Sequence, residues 1–253
     1  MQQGAHATQR RHLGSPALVP GVHSEPIAAL QPFASLANCG RHQEICSETS
    51  SNEYLHYVVA GAAGRYSSMP DGRRQMIDLL LPGDFYGYTS QPHHEFTLEA
   101  IVEGTLVARY PRRRVEALAA TDPKLAHELR EISFATISRT EALLMILGRV
   151  TALEKVGAFL IEMAARLRNG QRDDVLLPVS RGDIADFLAI SAETVSRALS
   201  DLKCRGVIRF MGTRQVRIVN RDALEGGCSP SGGCELHRSA RVFPVAPQGE
   251  DRV

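Results

Sequence analysis

In the stretch Ser191-Ala-Glu-Thr-Val-Ser-Arg197, a carboxylate, a hydroxyl and a guanidinium recur at Glu193, Ser196 and Arg197. Residues three and four apart share a helix face, so on a helix these side chains project together while Val195 and Leu199 turn back into the domain. A planar guanidinium grips the O6 and N7 of guanine in a bidentate fork, and a carboxylate accepts from the amine of cytosine. The face, with Thr194 beside it, has the chemistry of a major-groove reader. The same spacing also makes an ordinary solvated Glu/Arg ion pair one turn apart, and the flanking residues decide between the two readings.

Those residues supply the elements that such a reader needs. Ser180-Arg-Gly-Asp183 is an N-cap signal with an acid three positions on, and Ile184, Ala185, Phe187 and Leu188 follow as one apolar face. Ala189-Ile190 breaks the pattern, and Ser191 caps a second helix. This is the spacing of a helix-turn-helix. Beyond Lys203-Cys-Arg-Gly206, Val207 to Phe210 and Gln215 to Val219 alternate about a turn at Met211 to Arg214, which predicts a β-hairpin. Helix, turn, helix and hairpin make a winged helix, in which Arg181, Arg205, Arg209, Arg214 and Arg217 are placed to meet phosphates. Such contacts position a protein on a duplex without specifying sequence.

The chain has 253 residues, 43% hydrophobic and 23% charged, enough for two modest cores. Its net charge of +1 means that any basic surface is local. No apolar run approaches the roughly 20 residues of a membrane span, and no signal peptide opens the chain, which predicts a cytoplasmic protein that does not engage membranes. Five dispersed cysteines predict reduced thiols.

Composition divides the chain into five parts. Residues 1–51 read as a flexible leader with some ordered turns near its end. Residues 52–120 read as short strands between Gly/Pro turns, a small antiparallel barrel or roll: Tyr54 to Val59, Gly64 to Tyr66, Gln75 to Leu80, Phe96 to Val102 and Thr105 to Tyr110. A helix over Arg112 to Leu118 follows. Residues 121–150 hold a long helix opened by Pro123; 151–225 hold a helix over Glu154 to Leu167, ended by Asn169-Gly170, and the winged helix; 226–253 form a disordered tail. On the long helix Leu125, Leu129, Ile132, Leu143 and Ile146 make one apolar stripe, and Ile137, Leu144 and Leu147 an adjacent one. One small roll cannot cover both, so the second stripe, with Thr140, is expected to seam a two-fold homodimer. A single broad face in a monomer is the other possibility. A dimer sets two recognition helices one DNA turn apart on a palindrome.

Roll, long helix and winged helix, with Leu80-Leu-Pro-Gly-Asp-Phe-Tyr-Gly87, Arg181-Gly-Asp-Ile184 and Glu193-Thr-Val-Ser-Arg197 in that order, closely resemble the CRP/FNR superfamily of bacterial transcription regulators over about Tyr54 to Glu225. The resemblance implies an α+β chain: an N-terminal cyclic-nucleotide-binding-like β-roll, a long dimerisation helix and a C-terminal winged helix-turn-helix. Ser196 and Ala192 place it nearer the FNR/FixK branch than the cyclic-AMP branch, where Gly and Arg usually stand. By resemblance the target is a TTGAT-like inverted repeat. Arg197 takes the guanine, Glu193 the cytosine region of the complementary strand and Ser196 the outer half-site. Activation through RNA polymerase, in a low-oxygen or nitrogen-fixation-type regulon, is implied in the same way.

Departures from the family pattern predict that no cofactor is needed. Cyclic-nucleotide binders carry Gly-Glu after their turn and later an Arg-Ser pair whose arginine forks the phosphate; here Tyr88 follows Gly87, and the later position reads His94-Glu95-Phe96-Thr97. The oxygen-sensing members hold a [4Fe–4S] cluster on four thiolates, whereas this chain has Cys39 and Cys46 and then none before Cys204. No metal site is expected, His42, His93 and His94 reading as solvated loop residues. The alternative is a ligand- or haem-dependent sensor of the same fold, since Tyr86, Tyr88, His93 and His94 lie where relatives bind effectors.

Cys204, between Lys203 and Arg205 just past the recognition helix, is either a redox-sensitive thiol whose oxidation repels DNA phosphates or a buried small hydrophobe. Cys228 and Cys234 have no specific spacing. No Ser/His/Asp set, paired carboxylates or phosphate-binding glycine loop supports an enzyme.

Overall fold

The structure, a computed structural model, describes residues 27–69, 72, 74–89, 91–167 and 173–225. The leader before residue 27, residues 70 and 71 of the first turn, the helix stop at 169–170 and the tail with Cys228 and Cys234 lie outside the described residues.

Two four-stranded antiparallel sheets form the roll. One orders β1 (Ser35–Cys39), β8 (Thr105–Pro111), β3 (Tyr54–Ala60) and β6 (Phe85–Tyr86); the other orders β2 (Glu44–Cys46), β7 (Thr97–Ala100), β4 (Ala63–Ser68) and β5 (Arg74–Leu80). Side chains alternate across a strand. On β3, therefore, Val58 meets Leu80, Tyr86 and Leu98 between the sheets, while Leu55 and Tyr57 pack outward with Tyr110, Val115, Leu125 and Leu129. Helices cover that outer face, α1 (Arg112–Ala119) and α2 (Pro123–Leu147).

The expected leader is corrected here. A 3₁₀ turn over Ala28–Phe33 buries Leu30 completely, and β1 and β2 pair with β8 and β7, so the roll begins near Ser35 and not at residue 52. The reason is that β1 is an edge strand with mostly exposed side chains. Backbone hydrogen bonds carry it, and they leave no apolar alternation to read.

Asp122 caps α2 by accepting from the Lys124 and Leu125 N–H groups, with Pro123 in the first turn. Leu125, Leu129, Leu143 and Ile146 are buried, and Ile132 packs half-buried beside them. The second stripe is open: Ile137 is 54% and Leu144 64% exposed, and Phe134 and Met145 stand exposed as well. Thr140 is exposed, its hydroxyl donated to the Thr136 carbonyl at 3.0 Å. Leu147 departs from the expected stripe, because it packs half-buried on the C-terminal core.

Thr151 and Glu154 form a capping box that starts α3 (Ala152–Arg166). A strand, β9 (Asp174–Leu176), then precedes α4 (Arg181–Leu188), α5 (Ala192–Cys204), β10 (Ile208–Phe210), β11 (Gln215–Ile218) and α6 (Arg221–Glu225). Beside the two roll clusters, a third runs from Met76, Leu79 and Ile101 on the roll through Phe159 and Leu160 to Phe187, Leu199 and Ile208, so the C-terminal core is continuous with the roll. Asp84, in the turn before β6, holds the same junction: Arg139 of α2 and Arg166 of α3 donate to its two oxygens at 2.8 and 2.5 Å. Burial pushes its carboxyl upward, and the two guanidiniums pull it back.

Candidate nucleic-acid interface

Ser180 and Asp183 exchange side-chain and backbone hydrogen bonds in a capping box at the start of α4. Ala189 ends that helix in the left-handed region at φ 53°, which turns the chain sharply into the Ser191 cap of α5. Val195, Ala198, Leu199 and Leu202 bury the inner side of α5. Its outer side carries the expected residues together. The side chains of Glu193 and Arg197 are 72% and 74% exposed and meet at 2.5 Å. Ser196 donates to the Ala192 carbonyl at 2.9 Å and accepts from Arg181 at 3.2 Å, which ties the first turn of α4 to the outer face of α5. Thr194 is the exception on this face. Its hydroxyl lies 2.7 Å from that of Ser191, within the cap.

The wing is a three-stranded sheet in the order β10, β11, β9, and β9 has no counterpart among the strands expected from sequence. Arg209 and Arg214 are exposed on it and form no ion pair among the described residues. Arg205 is corrected. Its guanidinium bonds both Asp201 oxygens at 2.8 and 2.9 Å one turn back, closing the helix end and not facing outward. Arg217 likewise grips Asp174 at 2.5 and 2.8 Å, lacing β11 to β9. The Asp201/Arg205 spacing of four was a readable signal for the first pairing; the second spans 43 positions and had none. Cys204 is exposed at the end of α5, which overturns the buried-hydrophobe alternative.

Away from this face, a cavity of about 340 Å³ lies between roll and α2, lined among others by Arg65, Tyr86, Tyr88, His94, Phe96 and Ile137. Gly87 is required at its wall: φ is 97°, and a Cβ there would meet the Tyr54 carbonyl at 2.9 Å. His93, exposed, does not line it. The reading that no arginine is available holds for positions 94–97, but Arg65 reaches the cavity from β4. Its guanidinium lies over the Phe96 ring at 5.1 Å and 4.0 Å from Asp78.

Comparison with known proteins agrees with this architecture. A family model described as a cyclic nucleotide-binding domain matches residues 37–122, and one described as a Crp-like helix-turn-helix domain matches 154–226. Nitrogen fixation regulation protein FixK of Azorhizobium caulinodans is 37% identical over 204 residues, 79% of this chain and 82% of the relative. Transcriptional activator protein FnrL of Cereibacter sphaeroides is 31% identical, covering 83% of this chain and 88% of its own length. The solved structure of FixK2 from Bradyrhizobium japonicum superposes with a TM-score of 0.70 at 38% identity, over 76% of this chain and 96% of that one. With roll, long helix and winged helix in the expected order, the chain belongs to the CRP/FNR family of transcription regulators, on its FixK-like branch, and is not an enzyme.

Proposed function

We propose that this chain binds double-stranded DNA as a cytoplasmic homodimer and activates transcription through RNA polymerase at TTGAT-like inverted repeats, in a low-oxygen or nitrogen-fixation-type regulon. It does so without a cyclic nucleotide or iron–sulfur cluster. The observation that carries this reading is the exposed face of α5, where Glu193, Ser196 and Arg197 stand together with Arg181 behind them. Arg209 and Arg214 on the wing are positioned for phosphates; Arg205 is held by Asp201. The relatives' names, a nitrogen fixation regulator and a transcriptional activator, support the regulon and the sign of the effect. Among the described residues no helix is long and apolar enough to cross a membrane.

Arg65 in the roll cavity favours one second reading, an effector-dependent regulator of the same fold. A gel shift with purified, cofactor-free protein on an inverted TTGAT repeat separates the two. Binding is expected without added ligand and unaltered by cyclic AMP, which should give no saturable calorimetric signal. Dependence on a small molecule selects the effector reading instead.

Cys204 is proposed as the point of redox control. Oxidation of this exposed residue by peroxide to a sulfinic acid, with water released, would add negative charge at the end of the recognition helix, where DNA phosphates would lie. Peroxide is expected to weaken DNA binding by the wild type and leave Cys204→Ala unaffected. Equal sensitivity of the two proteins removes the idea.

A further inference from the structure

Three side chains that the function above does not use converge inside the roll. Cys46 comes from β2, His56 from β3 and His94 from the segment before β7, and one ligand atom of each lies within 4.8 Å of the others. His56 is only 3% exposed, yet neither of its ring nitrogens has a hydrogen-bond partner, and Nδ1 of buried His94 has none either. Buried polar atoms are nearly always paired, and each one left alone typically costs about 1–3 kcal/mol. One nitrogen of each imidazole can turn a lone pair toward the thiol side of the cluster, a set of donors that suits a ligand accepting lone pairs.

We propose that Cys46, His56 and His94 form a binding site for a divalent transition-metal ion of the zinc class. One thiolate and two imidazoles are a borderline-soft donor set, suited to Zn²⁺ or Co²⁺ and unsuited to Mg²⁺ or Ca²⁺, which take oxygen. Bond lengths of about 2.3 Å to sulfur and 2.0–2.1 Å to nitrogen put tetrahedral ligands roughly 3.3–3.7 Å apart. The present separations, none above 4.8 Å, therefore close by at most about 1.5 Å on binding, a side-chain adjustment.

The backbone is already fixed around the three residues. The His94 N–H donates to the Ser50 carbonyl at 2.9 Å, and its carbonyl accepts from Thr49 at 2.8 Å. A cavity of about 320 Å³, lined by Glu44, Cys46, Ser50, His56, His94 and Arg109 among others, gives a path of entry and room for a water as fourth ligand. Arg109 opposes a cation there, its guanidinium stacked on Tyr54 at 4.5 Å, and burial pushes the Cys46 thiol up to about 12 against the lesser pull of Arg109, so a bound ion has to displace that proton. A neutral His56 offers one ring lone pair to an ion, its other nitrogen carrying the proton. On binding, the S–H bond breaks, the sulfur–metal bond forms and the proton leaves to solvent. An ion so placed would staple β2, β3 and the 91–95 segment together. This site is independent of the DNA reading.

The test is a Co²⁺ titration of the full-length, chelator-stripped protein. One Co²⁺ per chain is expected, with sulfur-to-cobalt charge-transfer absorption that Zn²⁺ abolishes. Cys46→Ser should lose the band, and His56→Gln and His94→Gln should each weaken binding about tenfold or more. Cys39→Ser, Cys204→Ser and the Cys228→Ser/Cys234→Ser pair should keep both. Metal-free circular dichroism and the gel shift on the TTGAT repeat check that each variant is folded. No charge-transfer band in the wild type, or a band that survives Cys46→Ser, overturns the proposal.

Discussion

Arg197→Ala is expected to weaken binding to an inverted TTGAT repeat by about 5- to 150-fold for each half-site, since a bidentate arginine–guanine contact discriminates by about 1–3 kcal/mol. In a two-fold complex both half-sites lose it, so the combined effect approaches the square of that factor. The side chain is 74% exposed and, among the described residues, its one charged partner is Glu193, so the variant should fold as the parent does. Discrimination at the guanine position should disappear as well. Arg214→Ala gives the contrast: removing a phosphate-binding guanidinium from the wing weakens every sequence alike and lowers the salt slope by about one. Fluorescence anisotropy at fixed salt, on the repeat and on a copy with the guanine replaced, reads both. If Arg197→Ala loses affinity equally on the two duplexes, the arginine binds phosphate and the reading of α5 is wrong.

Ile137→Glu combined with Leu144→Glu is expected to leave a folded monomer that no longer holds the palindrome. Both side chains are more than half exposed on α2, beside exposed Phe134, so carboxylates there are solvated in the single chain. In a dimer seam the same carboxylates are buried without partners, at a cost of about 3–5 kcal/mol each. Leu129→Glu should behave differently. Leu129 is buried against Leu125 and Tyr110, so a charge there unfolds the roll-side packing of the same helix. Sedimentation and thermal unfolding together distinguish these outcomes. A double variant that still sediments as a dimer refutes the seam.

Much of this architecture was readable because periodicity reports burial. The strands at Tyr54, Gln75 and Thr105 and the caps at Ser180 and Ser191 follow from residue type and spacing alone, and the structure has an element at each. What escaped had no local signature. β1 is an exposed edge, β6 has two residues, and β9 has three, so none supplies a period to detect. The exposed face of α5 with Glu193, Ser196 and Arg197 was legible because its members sit three and four apart on one helix. By contrast, Cys46, His56 and His94 come from three elements, and Arg65 enters the roll cavity from a strand to which the pattern of cyclic-nucleotide binders does not point. Scattered arginines were over-read: Arg205 and Arg217 serve their own domain, each held by an aspartate.

The contact between Glu193 and Arg197 is also a competitor that the protein carries with it. On the proposed reading of α5, DNA would have to take the guanidinium away from a carboxylate one turn distant, and this subtraction would apply to every sequence the protein meets. A phosphate or a mismatched base can accept the arginine, but it leaves the glutamate desolvated in a groove with no donor to meet it. A half-site that offers guanine to one side chain and a cytosine amine to the other returns both interactions at once. On that proposal, selectivity would depend in part on a bond that exists only while the protein is searching.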